Sequence, residues 1–408
     1  MSKKSNWLIV AALFVTAAGV AGAQDGEVPL YGPSEGEARA IEAYWTPERM
    51  AAAEPMPTPA VLVTEDDFAR QATEPQAFGG EPGLVNGHPP GGGEYVPHVQ
   101  TFTREEAALF GQFGEPQDHG TPPTNPQTGP YGPFQRWTMQ GKYLPFPRSV
   151  HGKLFFSGAG GGNFVCSATV INRSTIATAG HCVSNGSGSF HSNFLFCPSY
   201  FNNPTGPNPD RGCWAWAQAW TSGPWHNAGD PDYDYACIVT PNTGTTIANK
   251  IGNVTGWAGR AWNWNDVPEI TFGYPQGSPF VGNTIQQTAS VEWYDWHFVG
   301  GGQWSKIIGS DLTGGSSGGG WFLSWRGPAT EIPDTDGNSN TDPANAGGPH
   351  INGVNSHKRC IVNCGSPPTP TTGVFWQEMT SPSFRNTEAN GESEDIFGLC
   401  FGHPNNNP

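Results

Sequence analysis

The pattern of hydrophobic and polar positions changes near residue 135. Beyond that point, short runs rich in β-branched and aromatic residues alternate with Gly, Asn and Pro, as in FVCSATVIN, TIATAGH and EITFGYP. Such runs between turn-forming clusters predict β-strands, and a succession of them without helical periodicity predicts a barrel or a sandwich. We therefore expect an all-β unit over residues 136–385, followed by a C-terminal tail over 386–408.

The preceding segment, residues 24–135, has no periodic apolar face apart from two short stretches that could be helices. It is acidic and rich in Gly and Pro, as in GEPQDHGTPPTNPQTGPYGP. Such a composition does not favour an independent hydrophobic core. The sequence predicts a propeptide or an extended N-terminal segment here. The alternative, a layer that packs on the β unit, stays open.

The first 23 residues form a third unit. They begin with Lys3 and Lys4, continue with an apolar run from Trp7 to about Val20, and end in small residues. This arrangement is typical of a secretory signal peptide. A transmembrane anchor is the alternative, but the run is shorter than the ~20 residues needed to cross a bilayer. We expect a secreted protein, extracellular or periplasmic, that does not interact with a membrane.

Composition narrows the possible partners and cofactors. The net charge of −16 excludes the basic face that nucleic-acid binding requires. The eight cysteines of an exported chain favour disulfides over metal thiolates. Cys360 and Cys364 are the only close pair, and no second cluster with zinc-ligand spacing accompanies them. We therefore predict neither a metal nor another cofactor.

Three segments carry residues that suit acyl transfer. In chain order they are TAGHC with His181, DYACI with Asp234, and GGSSGGG with Ser317. A serine nucleophile needs a base, an anion that orients the base, and donors for the developing oxyanion. Asp230 and Asp232 lie close to the second segment, but Asp234 directly precedes an apolar strand. We therefore favour Asp234 as the orienting residue.

In this order, the three segments resemble the motifs of trypsin-like serine peptidases of the chymotrypsin fold, especially the bacterial glutamyl-endopeptidase-like branch. The resemblance covers about residues 136–385. It implies two packed antiparallel six-stranded β-barrels, with His181 and Asp234 on the first and Ser317 on the second. It also implies that Ser317 attacks the substrate, that His181 is the general base, and that the N–H groups of Gly315 and Ser317 bind the oxyanion.

The same resemblance suggests a substrate pocket. Asp311 stands where trypsins place the aspartate that binds Lys or Arg, but bacterial relatives that prefer Glu can also carry Asp there. Ser356 and His357 resemble the strand that lines the pocket, and His357 could neutralise an acidic side chain. Ser316 replaces the aspartate that pairs with the new N-terminus in animal trypsins. Any prosegment must therefore act differently.

The resemblance also implies a disulfide between Cys166 and Cys182, beside the histidine. Loop position suggests that Cys197 pairs with Cys213. Three pairings stay open for the remaining cysteines, which are Cys237, Cys360, Cys364 and Cys400.

Two other functions fit parts of the sequence. The first is an α/β-hydrolase, because its G-x-S-x-G turn matches Gly315, Ser317 and Gly319. That fold requires alternating parallel strands and helices. The second is a non-catalytic binding protein built on the same barrel. Separately, residues 334–342 loosely resemble a calcium loop. We predict a secreted, monomeric serine endopeptidase, made as a zymogen, that acts on proteins or peptides.

Overall fold

The structure is a computed structural model of the whole chain. It describes residues 27–64, 83–85, 87–91, 99–101, 134–138, 146–201, 211–264, 268–296, 304–324, 349–362, 374–375, 378–384 and 396–407. The predicted signal peptide, Cys364 and the possible calcium loop at 334–342 lie outside these residues.

The described residues form mostly β-strands. The strands are β1 Glu27–Tyr31, β2 Glu54–Pro55, β3 Ala60–Leu62, β4 Gly83–Val85, β5 Val99–Thr101, β6 Phe134–Thr138, β7 His151–Ser157, β8 Asn163–Asn172, β9 Thr175–Thr178, β10 Ser192–Pro198, β11 Trp214–Ala215, β12 Gln218–Ser222, β13 Ala236–Val239, β14 Gly259–Trp262, β15 Pro268–Gly273, β16 Gln286–Trp296, β17 Ser305–Gly309, β18 Gly320–Ser324, β19 His350–Val354, β20 Lys358–Val362, β21 Val374–Phe375 and β22 Glu378–Pro382. The short helices are α1 Glu35–Tyr44, α2 Pro47–Ala52, α3 Gly223–Ala228, α4 Ile251–Thr255 and α5 Ile396–Phe401.

The first large sheet has nine strands and carries the histidine segment. Its order is β1-β12-β13-β9-β8-β7-β10-β11, and β2 pairs with β8 at the side. Strands β8 and β9 are almost completely buried, which explains their continuous apolar and small residues. The main core contains Phe155, Val165 and Ile176, all with no exposed surface. This buried layer fixes the position of the turn that follows β9.

The second large sheet has ten strands and carries the serine segment. Its order is β22-β17-β16-β15-β18-β19-β14-β4-β5, and β6 pairs with β16. Strands β3, β20 and β21 form a separate three-stranded sheet. The predicted all-β fold class is confirmed. The sheets hold more strands than the six per barrel that the resemblance implied, partly because β1, β2, β4 and β5 join them.

The described part of the N-terminal segment packs on both sheets. Strand β1 pairs antiparallel with β12, and β4 pairs with β14. Helix α1 begins with a capping box between Ser34 and Glu37 and contacts β10 and β11. Trp45, which is 3% exposed, donates a hydrogen bond of 2.6 Å to the carbonyl of Asn193. These contacts join this part of the segment to both sheets, and its role as a propeptide stays a prediction.

The end of the chain is also attached to the first sheet. Helix α5 packs against β12 and β13, and a disulfide joins Cys400 to Cys237. This pairing is one of those that the sequence left undecided. The largely antiparallel sheets differ from the alternating parallel strands and helices that the α/β-hydrolase alternative requires. Among the described residues, no helix is long and apolar enough to cross a membrane.

Candidate active site

His181 lies in a short 3₁₀ turn, Gly180–Cys182, just after β9, and is 2% exposed. Gly180 lets the backbone approach its neighbours closely. A Cβ at this position would lie 2.7 Å from Trp225 Cδ1 and 2.9 Å from Asp234 Oδ1, so a larger residue would push the turn away. A disulfide links Cys182 to Cys166 on β8. The turn is thereby fixed to the core on both sides of the histidine.

Asp234 holds His181 through two hydrogen bonds. The imidazole Nδ1 lies 2.7 Å from Asp234 Oδ2, and the backbone N–H of His181 donates to Oδ1 at 2.6 Å. Because a carboxylate can only accept, Nδ1 of the neutral ring carries the proton and Nε2 is left as an acceptor. Asp230 and Asp232 have other partners, since Asp230 caps the turn before Asp234 and Asp232 accepts from Ser305.

The Asp234 carboxylate is completely buried, and burial alone would raise its pKa. The electrostatic attraction and hydrogen bonds of His181, together with the Ser356 hydroxyl, outweigh burial and hold the pKa of Asp234 below its ordinary value. The Ser356 hydroxyl donates to Asp234 Oδ2 at 2.5 Å. Its single proton is then used, so Ser356 Oγ accepts from Nδ1 of His357 at 2.6 Å. The link between β19 and β20, which carries Ser356, therefore also holds the Asp234 carboxylate in place.

Ser317 lies in a tight turn between Leu312 and β18. Gly315 has a φ of +93°, a conformation that a residue with a side chain rarely adopts. Ser167 on β8 anchors the turn twice: its N–H donates to the Ser317 carbonyl at 2.7 Å, and its hydroxyl donates to the Gly315 carbonyl at 2.9 Å. The Gly318 N–H donates to the carbonyl of Asn355 at 2.7 Å. The two large sheets thus hold the serine turn between them.

The reactive atoms themselves are closed off. Ser317 has no exposed surface, and neither its Oγ nor Nε2 of His181 has a hydrogen-bond partner among the described residues. The two atoms therefore do not hydrogen-bond each other in this state. The Gly315 N–H, one of the two predicted oxyanion donors, is occupied: it donates to the carbonyl of Met56 at 3.2 Å.

Asp311 forms an ion pair that the sequence analysis did not foresee. Its Oδ2 lies 2.9 Å from Nε of Arg136 on β6. Burial lowers the pKa of Lys358 to about 8, while the charges of Glu378 and, to a smaller extent, Asp311 oppose this effect. Two cationic side chains therefore accompany the predicted pocket aspartate. No sequence signal links Arg136 to Asp311, because 175 residues separate them.

His357 lies beside Asp234 and Ser356 and is completely buried. Burial lowers its pKa to about 3, despite the opposing influence of the Asp234 charge. Burial therefore favours the neutral ring near pH 7 in this state, and the predicted neutralisation of an acidic substrate side chain by His357 stays a prediction. Its contact with substrate stays a prediction.

Three disulfides are defined between described cysteines. Cys166 is joined to Cys182, Cys197 to Cys213 and Cys237 to Cys400. Within the described part of the chain, the one group of metal-ligating side chains is Cys166, His181 and Cys182. Both of its sulfur atoms belong to the disulfide, so they are not available as thiolates.

Comparison with known proteins gives similarity to solved structures only. No protein-family model and no curated protein matches the chain. A thermostable serine protease AL20 from an extremophilic microorganism is 29% identical, with a TM-score of 0.46, over 62% of this chain and 98% of its own. Protease Anisep from Arthrobacter nicotinovorans is 25% identical, with a TM-score of 0.45, over 63% and 96%.

A third similar structure is a Glu endopeptidase in complex with MPD. It is 16% identical, with a TM-score of 0.41, and the match covers 67% of this chain and 99% of its own. These three solved structures are described as two proteases and one endopeptidase.

Proposed function

We propose that this chain is a serine endopeptidase in which Ser317 is the nucleophile, His181 the general base and Asp234 the residue that orients the base. The observation that carries the proposal is the arrangement of the His181 ring. Asp234 holds its Nδ1 at 2.7 Å, while Nε2 is left without a partner among the described residues. This is the orientation in which a neutral imidazole can accept a proton.

The chemistry follows from these roles. Ser317 Oγ attacks the scissile carbonyl carbon and forms a C–O bond, while its proton passes to Nε2 of His181. The C–N bond then breaks, and the departing amine takes that proton. Water, activated by the same histidine, hydrolyses the acyl-enzyme and regenerates the serine. The N–H groups of Gly315 and Ser317 would stabilise the oxyanion at each stage.

The charges around Asp311 support a preference for acidic rather than basic substrate side chains. Arg136 pairs with Asp311 at 2.9 Å, Arg359 pairs with Glu378 at 2.5 Å, and Lys358 adds one further positive charge. A substrate lysine or arginine would therefore meet no unpaired carboxylate, whereas a substrate glutamate would meet net positive charge. On this basis we propose that the enzyme is glutamyl-endopeptidase-like.

The disulfides support folding in an oxidising compartment. Three of them join described cysteines, and cytosolic proteins rarely keep such bonds. Together with the signal-like first 23 residues, they support secretion.

The experiment that tests the proposal is active-site labelling with a fluorophosphonate, followed by mass spectrometry. The probe should modify Ser317 in protein freed of its N-terminal segment, and Ser317→Ala and His181→Ala should abolish labelling. Ser316→Ala is the matched control, because its hydroxyl donates to the Thr313 carbonyl and not to the site. A folded, processed protein that takes no label at Ser317 would refute the proposal.

A further inference from the structure

One part of the N-terminal segment, Ala53–Val63, crosses the candidate active site. We call it the cleft segment. It contacts the serine turn, strand β8 beside the histidine disulfide, and strand β20 beyond Ser356. All three belong to the region that the proposed function requires to bind substrate.

At its centre, the cleft segment places a carbonyl group on a predicted oxyanion donor. The Met56 oxygen accepts the hydrogen bond of the Gly315 N–H at 3.2 Å. A Cβ added at the neighbouring Gly314 would lie 2.9 Å from the same oxygen, so the segment lies directly over the glycine turn. A substrate carbonyl that uses Gly315 would have to displace Met56.

Upstream of Met56, the cleft segment pairs with β8. Glu54 and Pro55 lie opposite Phe164 and Val165 in parallel register, and the Met56 N–H donates to the Val165 carbonyl at 2.9 Å. The side chain of Gln276 donates to the Ala53 carbonyl at 2.7 Å. This half is therefore held mainly through its backbone.

Downstream of Met56, the segment becomes β3 and adds to β20 in parallel register. The Lys358 N–H donates to the Pro59 carbonyl at 2.9 Å, and the Val63 N–H donates to the Cys360 carbonyl at 3.0 Å. An extended peptide that is bound by strand addition makes the same kind of contact. The cleft segment thus occupies the cleft as a peptide ligand would.

The chain in this state is not arranged for cleavage. Ser317 has no exposed surface, His181 is 2% exposed, and their reactive atoms do not hydrogen-bond each other. The base therefore does not receive the hydroxyl proton while the cleft segment is bound.

We propose that Ala53–Val63 is a tethered peptide ligand of the active-site cleft, and that Ser317 becomes reactive only when this segment leaves. The inference rests on the proposed peptidase function and adds its regulation. It also identifies the backbone groups of Val165, Gly315 and Lys358 as the part of the cleft that binds an extended peptide.

Thr58→Arg in the full-length chain tests this inference. Thr58 is 1% exposed, so the cleft segment can stay bound with an arginine at this position only if the charged side chain is buried. Ala52→Arg is the matched control, because Ala52 is exposed and lies one residue before the cleft segment. Hydrogen exchange of the Met56 and Val63 amides reports release of the segment, and the rate of fluorophosphonate labelling at Ser317 reports reactivity.

We expect Thr58→Arg to accelerate both exchange and labelling, the latter by about tenfold or more, since the buried charge favours the released state. Ala52→Arg should behave like the unmodified chain. The inference would be overturned if the amides of Thr58→Arg exchanged faster but Ser317 was labelled no faster than in the unmodified chain. If the unmodified chain itself takes label, the proposed function would stay intact. Faster exchange with no label at Ser317 in any variant would instead refute the proposed function.

A second variant tests the inference if Thr58→Arg does not fold or does not release the cleft segment. Residues 54–62 are replaced by a Gly/Ser stretch of equal length, which removes the side chains but keeps the chain continuous. If the Val63 amide exchanged faster in this variant, which shows that the segment is released, but Ser317 was labelled no faster than in the unmodified chain, the inference would be wrong.

Discussion

At the scale of single residues, the buried Asp234 carboxylate is the centre of the site. It accepts from the backbone N–H and Nδ1 of His181 and from the hydroxyl of Ser356, all within 2.7 Å. These donors come from a turn after β9 and from the link between β19 and β20. One side chain therefore fixes the ring orientation of the histidine and joins the two halves of the cleft.

Asp234→Asn should reduce kcat of the processed enzyme by about 10⁴, because an amide at this position favours the wrong histidine tautomer. The measurement is hydrolysis of a peptide substrate at neutral pH. Asp230→Asn is the control, since the Asp230 side chain accepts a hydrogen bond from the Asp232 N–H, and the activity of this variant should change little. Comparable activity of Asp234→Asn and the unmodified enzyme would contradict the assigned role.

The same carboxylate should make stability depend on pH at the acid end. The pKa of Asp234 is lower in the folded state than its ordinary value of 3.8. Its contribution is therefore fully present above that value and is lost as pH falls through the folded-state pKa. In denaturant unfolding, the stability difference between the unmodified chain and Asp234→Asn should be largest at neutral pH and should narrow below pH 3.8. A difference that stays constant with pH would contradict this prediction.

Arg136→Gln should change substrate preference more than stability. The ion pair with Asp311 is partly exposed, so its loss should cost no more than about 1 kcal/mol. The unpaired Asp311 should then favour basic side chains, and the ratio of kcat/KM for Lys over Glu peptides should rise about tenfold. Arg39→Gln, an exposed arginine on α1, is the control. An unchanged ratio would mean that Asp311 does not face the substrate side chain.

At the scale of elements, the site depends on strands that hold its loops. Strand β8 supports both reacting residues: Cys166 is bonded to the histidine turn, and Ser167 anchors the serine turn at 2.7 Å. Because β8 lies between β7 and β9 in a fully buried part of the sheet, it has little freedom to move. The histidine turn and the serine turn are therefore held at fixed positions relative to the core.

The docking of α5 onto the first sheet leads to a prediction about the C-terminal disulfide. Cys400→Ala should lower the free energy of unfolding by about 2–4 kcal/mol, since the bond constrains the unfolded chain. Denaturant titration compares the unmodified chain with a variant that carries Cys400→Ala together with Cys237→Ala, so that no free thiol is left. Leu399→Ala is the control, because Leu399 is 40% exposed. An equal effect of both changes would show that the disulfide does not anchor the helix.

At the scale of the whole molecule, the N-terminal segment links regions that are distant in sequence. Strand β1 extends the first sheet, β4 and β5 extend the second, and the cleft segment lies between them. The segment is therefore part of the folded structure in this state.

Trp45→Ala should loosen this attachment. Trp45 is 3% exposed, packs against Phe155 and bonds to Asn193, so truncation should cost about 3–5 kcal/mol. Hydrogen exchange should show faster exchange in α1 and little change in β8. Tyr31→Ala is the control, because Tyr31 is 77% exposed. Unchanged protection of α1 would contradict an anchoring role for Trp45.

The sequence by itself determined the β character of the chain, because alternation and turn residues act locally. It also gave the order of the His181, Asp234 and Ser317 segments, whose residue types point to acyl transfer. The favoured aspartate is the one that contacts His181 in the structure. The roles of these residues in the reaction stay predictions.

Only the tertiary structure decided the relations between distant residues. It paired Arg136 with Asp311, joined Ser356 to Asp234, and placed the Met56 carbonyl on the Gly315 N–H. The last contact depends on backbone groups, which every residue carries, so no side-chain pattern could predict it. The burial of His357, which lowers its pKa, also follows from packing on all sides rather than from its neighbours in the chain.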